Sequence, residues 1–160
     1  MKTKIVGAVV VIAVLLTVVG CGKLAASIEP APPAGPSADV VLAEVGAGGI
    51  LCLETRTTIR GLPGQADLVA AQRADVVDLA QFSSNRTGMT LNEGRACAEV
   101  VRLPVTVRCH LPLYVRHDLP VGVTVVETMR IVHGYSAVPS DVAEMMDACV
   151  SGRGRWERVE

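Results

Sequence analysis

The chain is 160 residues long and half hydrophobic, with 15 basic and 16 acidic residues and a formal net charge of −1. Its aromatic side chains are only Phe82, Tyr114, Tyr135 and Trp156, and no stretch clusters lysine or arginine. Nucleic-acid binding needs clustered cations and usually stacking platforms, so composition excludes that class.

The chain opens MKTKIVGAVVVIAVLLTVVGCGK. Lys2 and Lys4 precede an uncharged apolar run over residues 5–19. That run is shorter than the roughly twenty residues a spanning helix takes, and it has the length and flanks of a signal-peptide core. It ends Val18-Val19-Gly20-Cys21, a small residue before a cysteine. These residues resemble a bacterial lipoprotein signal with its lipobox, Val18 standing where leucine is commonest. The resemblance covers this segment alone. It implies that residues 1–20 are removed and that Cys21 is acylated as the first mature residue. The chain would then be held in the cell membrane or outer membrane, facing the periplasm or the exterior, because two or three acyl chains anchor far better than one. Losing Lys2 and Lys4 leaves 13 basic residues against 16 acidic, a balance of −3.

Residues 21–39 carry Pro30, Pro32, Pro33 and Pro36 among Ala, Gly and Ser. No periodic apolar face can form there, and the segment reads as a proline-stiffened tether. Residues 40–160 remain as one domain, long enough to bury a single core. Residues 40–45 (VVLAEV) and 50–60 (ILCLETRTTIR) read as strands, the second for its threonine content and alternation. Residues 67–82 read as a helix with an apolar face of Leu68, Val69, Val76, Leu79 and Phe82, ended by SSNRTG. Thr90-Leu-Asn-Glu93 fits a capping box opening a short helix to about Val101. Ser140 is expected to cap a helix over residues 141–150, and residues 155–159 (RWERV) add a last strand.

The stretch LPVTVRCHLPLYVRHDLPVGVTVV, residues 103–126, places apolar side chains at odd positions and polar ones at even positions, with Leu-Pro recurring every eight residues. Strand side chains alternate faces, so this is strand patterning. Its length exceeds one strand of a small domain, and a hairpin is expected with arms near 105–116 and 121–133. Pro112 cannot donate to a ladder and belongs at an edge or a bulge. The whole suggests an α+β fold: an antiparallel sheet of about four to five strands with two to three helices on one face.

With Cys21 acylated, Cys52, Cys97, Cys109 and Cys149 remain. An even number outside the cytoplasm fits two disulfides, and three pairings are open. His110, His117 and His133 with Cys109 lack metal-ligand spacing, and on one continuous strand His110 and His117 point to opposite faces. No metal site or cofactor is expected. His133-Gly-Tyr-Ser136 sets a serine near a histidine without the second glycine of a nucleophile elbow. Residues 43–50 (AEVGAGGI) lack the lysine of a phosphate loop. Arg153, Arg155, Trp156 and Arg158 form a terminus of the residue types enriched at binding hot spots.

The expected function is therefore a non-catalytic, membrane-anchored envelope lipoprotein serving as a protein-interaction or assembly module. The alternative is a lipoprotein that binds a small ligand or metal on the open sheet face around Arg108, Tyr114 and Arg116. The expected partners are membrane lipid, through Cys21, and another envelope protein.

Overall fold

The structure is a computed structural model and describes residues 34–117, 119 and 122–159, leaving aside the side chains of Thr124 and Val125. Cys21 and most of the proline-rich segment lie outside the described residues. In chain order come β1 (Ser37–Val45), a 3-10 turn (Ala47–Gly49), β2 (Leu51–Gly61), α1 (Ala66–Thr87) and β3 (Thr90–Glu93). Then follow α2 (Cys97–Val100), β4 (Val107–His110), β5 (Tyr114–Arg116), β6 (Val123–Gly134), α3 (Pro139–Ser151) and β7 (Arg155–Arg158). No described helix is long and apolar enough to cross a membrane.

The fold is α+β, with one antiparallel sheet in the order β3-β1-β2-β6-β4-β7, and β5 paired to β6 beside β4. Among the described residues the sheet has seven strands, more than the four to five expected, for two reasons. Thr90–Glu93 is not a capped helix start but a strand on β1, with Leu42 opposite Glu93 and Val45 opposite Thr90. The helix after it is a single turn, in which only the Glu99 carboxylate reaches back, 3.3 Å from the Ala96 amide. The expected first arm of the hairpin is also two strands, β4 and β5, interrupted at Leu111-Pro112-Leu113 where proline breaks the ladder.

Cross-strand pairs sort the side chains by face. Leu42, Thr55 and Arg130 share one face, as do Leu53, Val132 and Cys109. α1 and α3 both lie there. α1 covers a core of Val40, Leu42, Ile59, Val69 and Val126. Its inward stripe is not the expected one: Val69, Val76, Val77 and Ala80 pack inward, while Leu79 and Phe82 are exposed at 67% and 61%. Small residues such as Ala80 and the fully buried Ser84 let the helix sit close to the sheet. α1 also runs through SSNRT, ending at Gly88, which adopts the left-handed conformation (φ 68°) open to glycine.

The opposite face carries a smaller core of Ala43, Cys52, Cys97, Val101 and Tyr135, closed by α2 and its flanking loops. Beyond it this face is wet and charged, with Arg60 beside Glu127 at 3.7 Å and Arg108 beside Glu157 at 3.3 Å. The cysteines pair as Cys52–Cys97, tying β2 to α2, and Cys109–Cys149, tying β4 to α3.

Candidate functional site

Between α1 and the β5 side of the sheet lies a trough of about 800 Å³, within the usual range of small-molecule sites. Its floor is polar for a sheet face packed by a helix. Thr55 and Thr57 from β2 and Thr128 from β6 line it, and the Thr57 and Thr128 hydroxyls are 3.3 Å apart. Glu44 from β1 and Arg130 from β6 complete the polar floor. Gln72, Asp75, Val76 and Leu79 form part of the α1 wall, so the polar side chains of Gln72 and Asp75 line the trough.

The other wall depends on a slip in register. His110 lies opposite Ile131, but Tyr114 lies opposite Thr128, so β5 has gained one residue over β6 across Leu111-Pro112-Leu113. An extra residue reverses the face of every side chain beyond it. Tyr114 and Arg116 therefore join Thr128 and Val126 on the helix-bearing face and line the trough, while Leu113 and Val115 turn outward to exposed positions. The alternation over residues 103–126 gives the correct parity for Val107 and Cys109 and the wrong one for β5. The parity argument separating His110 from His117 lapses for the same reason.

Burial pushes the Glu44 carboxyl above the ordinary carboxylate value, against the opposing pull of the Ser84 hydroxyl and the Arg130 guanidinium. No carboxylate among the described residues lies within ion-pair distance of Arg116. Next to the trough, and sharing Leu111 with it, a second cavity of about 610 Å³ lies between α3 and the sheet. Its lining is mainly apolar, with Ile50, Leu51, Val107, Val132 and Met145.

The remaining sequence candidates disperse. Arg108 lies opposite His133 on the other face from Tyr114 and Arg116, so the three do not form one site. Trp156 and Arg158 share the face of Cys109 and Val107, whereas Arg155 points with His110 to the opposite face. Arg153 holds a left-handed turn before β7 (φ 59°). His110 and Arg108 both reach Glu157, and their hydrogen bonds hold its carboxyl below the ordinary value. Ser136 does not engage His133: its hydroxyl donates to Asp141 at 2.8 Å and accepts the Val138 amide at 3.1 Å, bracing the start of α3. Val138, not Ser140, is the cap position, and Pro139 opens the helix.

His133 instead stands beside Glu54, its Nε2 3.6 Å from Glu54 Oε2, and both are buried. The Glu54 carboxylate accepts the Cys97 amide at 2.9 Å and Arg56 Nε at 2.7 Å. Burial alone would raise Glu54, but these bonds hold it below its ordinary value. Burial pushes His133 down, with Glu54 opposing. Sequence reading missed Glu44, Glu54 and Arg130. The available signal was a carboxylate inside each of two otherwise apolar strand segments, VVLAEV and LCLET.

Comparison with protein-family models finds no match, and comparisons with curated proteins and with solved structures find none either.

Proposed function

We propose that the chain is a non-catalytic, lipid-anchored lipoprotein of the bacterial envelope whose domain binds a small amphiphilic ligand in the trough. The observation that carries the binding reading is the one-residue slip that turns Tyr114 and Arg116 into a polar-floored trough adjoining an apolar cavity. A bulge that re-aims side chains into a cleft is a common device next to binding sites. A ligand with a polar head and an apolar body fits the two volumes. The two disulfides accord with an oxidising compartment. The lipobox at Cys21 and the proline-rich tether support the membrane address. The engagement of Ser136 with Asp141 supports the non-catalytic reading.

The test is a thermal-shift screen of the mature protein against amphiphilic metabolites and lipid fragments. A ligand should raise the melting temperature of the wild type and leave that of Tyr114→Ala and Arg116→Ala unmoved. A screen with no stabilising compound would overturn the ligand reading. Intact mass of membrane-extracted protein should show acyl chains on Cys21, and an unmodified N-terminus would remove the anchor.

The protein-interaction reading keeps one observation of its own. β7 pairs with β4 alone among the described strands, and it presents Trp156, 41% exposed, near the sheet edge. In-cell crosslinking from position 156 should then capture one near-stoichiometric envelope protein.

A further inference from the structure

A buried anomaly lies outside the trough, on the opposite face of the sheet. His133 is 8% exposed, yet neither ring nitrogen has a hydrogen-bond partner among the described residues, and the hydroxyl of Tyr135, whose ring stacks beside it, has none there either. A buried polar group left unpaired costs about 1–3 kcal/mol, and each such case in a native protein requires a physical reason. The 3.6 Å between His133 Nε2 and Glu54 Oε2 is too long for a hydrogen bond. It suits two ligands of one metal ion, since bonds of about 2.0–2.1 Å at tetrahedral angles hold N and O about 3.4 Å apart. The Cys97 sulfur completes the triangle: the three ligand atoms lie within 4.8 Å of one another and all three residues are buried. A fourth donor is in place, because Cys52 lies directly opposite His133 in the ladder and its sulfur is the one bonded to Cys97.

We propose that Cys52, Cys97, Glu54 and His133 form a zinc-type metal site that is closed while the Cys52–Cys97 disulfide stands and opens when that bond is reduced. Two thiolates, an imidazole and a carboxylate are a donor set for Zn²⁺ and not for Ca²⁺ or Mg²⁺. Arg56 holds Glu54 Oε1, and Oε2, which also accepts the Cys97 amide, lies 3.6 Å from His133 Nε2. Arg56 and Arg108 both bring positive charge to the cluster, offsetting the excess of negative ligands. The switching step balances with a dithiol as reductant. The S–S bond takes up two electrons and two protons, giving two thiols, while the dithiol becomes a disulfide. Zn²⁺ then displaces both thiol protons to solvent. A disulfide oxidant reverses the step: it takes two electrons from the thiolates and two protons from solvent to become a dithiol, while the Cys52–Cys97 bond re-forms and the ion is released.

The experiment uses the full chain in detergent, oxidised or reduced, with Zn²⁺ and with Co²⁺ as the spectroscopic probe. The reduced chain should take up one Zn²⁺, and Co²⁺ should give thiolate-to-cobalt charge-transfer absorption. The oxidised chain should show neither. Zn²⁺ should also raise the melting temperature of the reduced chain, because metal affinity adds to folding. A Cys109→Ser, Cys149→Ser double variant should keep the absorption and Cys97→Ser should lose it. His133→Gln should weaken affinity by at least about tenfold. Absence of uptake by the reduced chain, or a melting temperature that Zn²⁺ leaves unmoved, would overturn the proposal. So would equal uptake by the oxidised chain, or uptake indifferent to Cys97→Ser and His133→Gln.

Discussion

His133 links the small core to acid stability, and the sign follows from its surroundings. Burial holds its pKa below the ordinary 6.5, with Arg108, His110 and Arg56 pushing the same way and Glu54 the other. As pH falls through 6.5, the unfolded chain takes up a proton that the folded chain resists, so stability declines in that window. Glu54, held below 4.5 despite burial, adds a second loss as pH falls through its folded value. Glu44 has the opposite sign: raised by burial, it favours the folded state at low pH, and that contribution is lost as pH rises through its folded value. The urea midpoint should therefore drop between about pH 7 and about pH 5.5, and His133→Gln should flatten that drop while leaving the loss at lower pH. An unchanged slope in the variant would assign the drop to other groups. Ser136 bears on stability alone: with Asp141 and the Val138 amide both on its hydroxyl, Ser136→Ala should lower unfolding free energy by about 1 kcal/mol.

At the level of elements, what could be read from the sequence was what period and turn chemistry control locally. β1, β2, α1, β6, α3 and β7 fall where their residue patterns point, because composition and period over a few neighbours place an element, although the face that α1 turns inward, with Val77 and Ala80 in place of Leu79 and Phe82, is not the one expected. The misreadings arise where a partner decides. Thr90-Leu-Asn-Glu93 suits a helix start and an edge strand equally, and pairing with β1 settles it. The slip at Leu111-Pro112-Leu113 leaves the period-two pattern intact, so only Pro112 hints at it, and with it went the correct facing of Tyr114 and Arg116. The union of Glu44 with Arg130, or of Glu54 with His133, comes from register between distant strands, which no spacing reveals. The cysteine pairing was equally non-local, and one glycine now tests it. A Cβ on Gly154 would stand 2.6 Å from Cys109 Sγ and 2.8 Å from Cys149 Sγ. Gly154→Ala should hinder closure of that bond, and alkylation without reductant should find about two labelled thiols, against none in the wild type.

Over the whole molecule, the two disulfides do different mechanical work. They span 45 and 40 residues, and in the chain-entropy model each stabilises the fold by about 4 kcal/mol. That is a large share of the roughly 5–15 kcal/mol by which domains are stable. Cys52–Cys97 joins elements already packed in the smaller core. Cys109–Cys149 holds α3 over the cavity of about 610 Å³, where direct packing against the sheet is thin. The inward side chains of α3 that are buried are Val142 and Cys149 alone. A helix held mainly by a crosslink opens on its own when the crosslink is removed, whereas strands paired on both sides open only with the whole fold. A Cys109→Ala, Cys149→Ala variant should therefore lose hydrogen-exchange protection across α3 well before β2 and β6, which pair along nearly their full lengths. The ligand proposed for the trough and its adjoining cavity should restore part of that protection, because binding the folded state alone stabilises it. Uniform loss of protection across α3 and the sheet would mean that α3 belongs to the same cooperative unit as the core, and that the cavity beneath it is not a weak point of the domain.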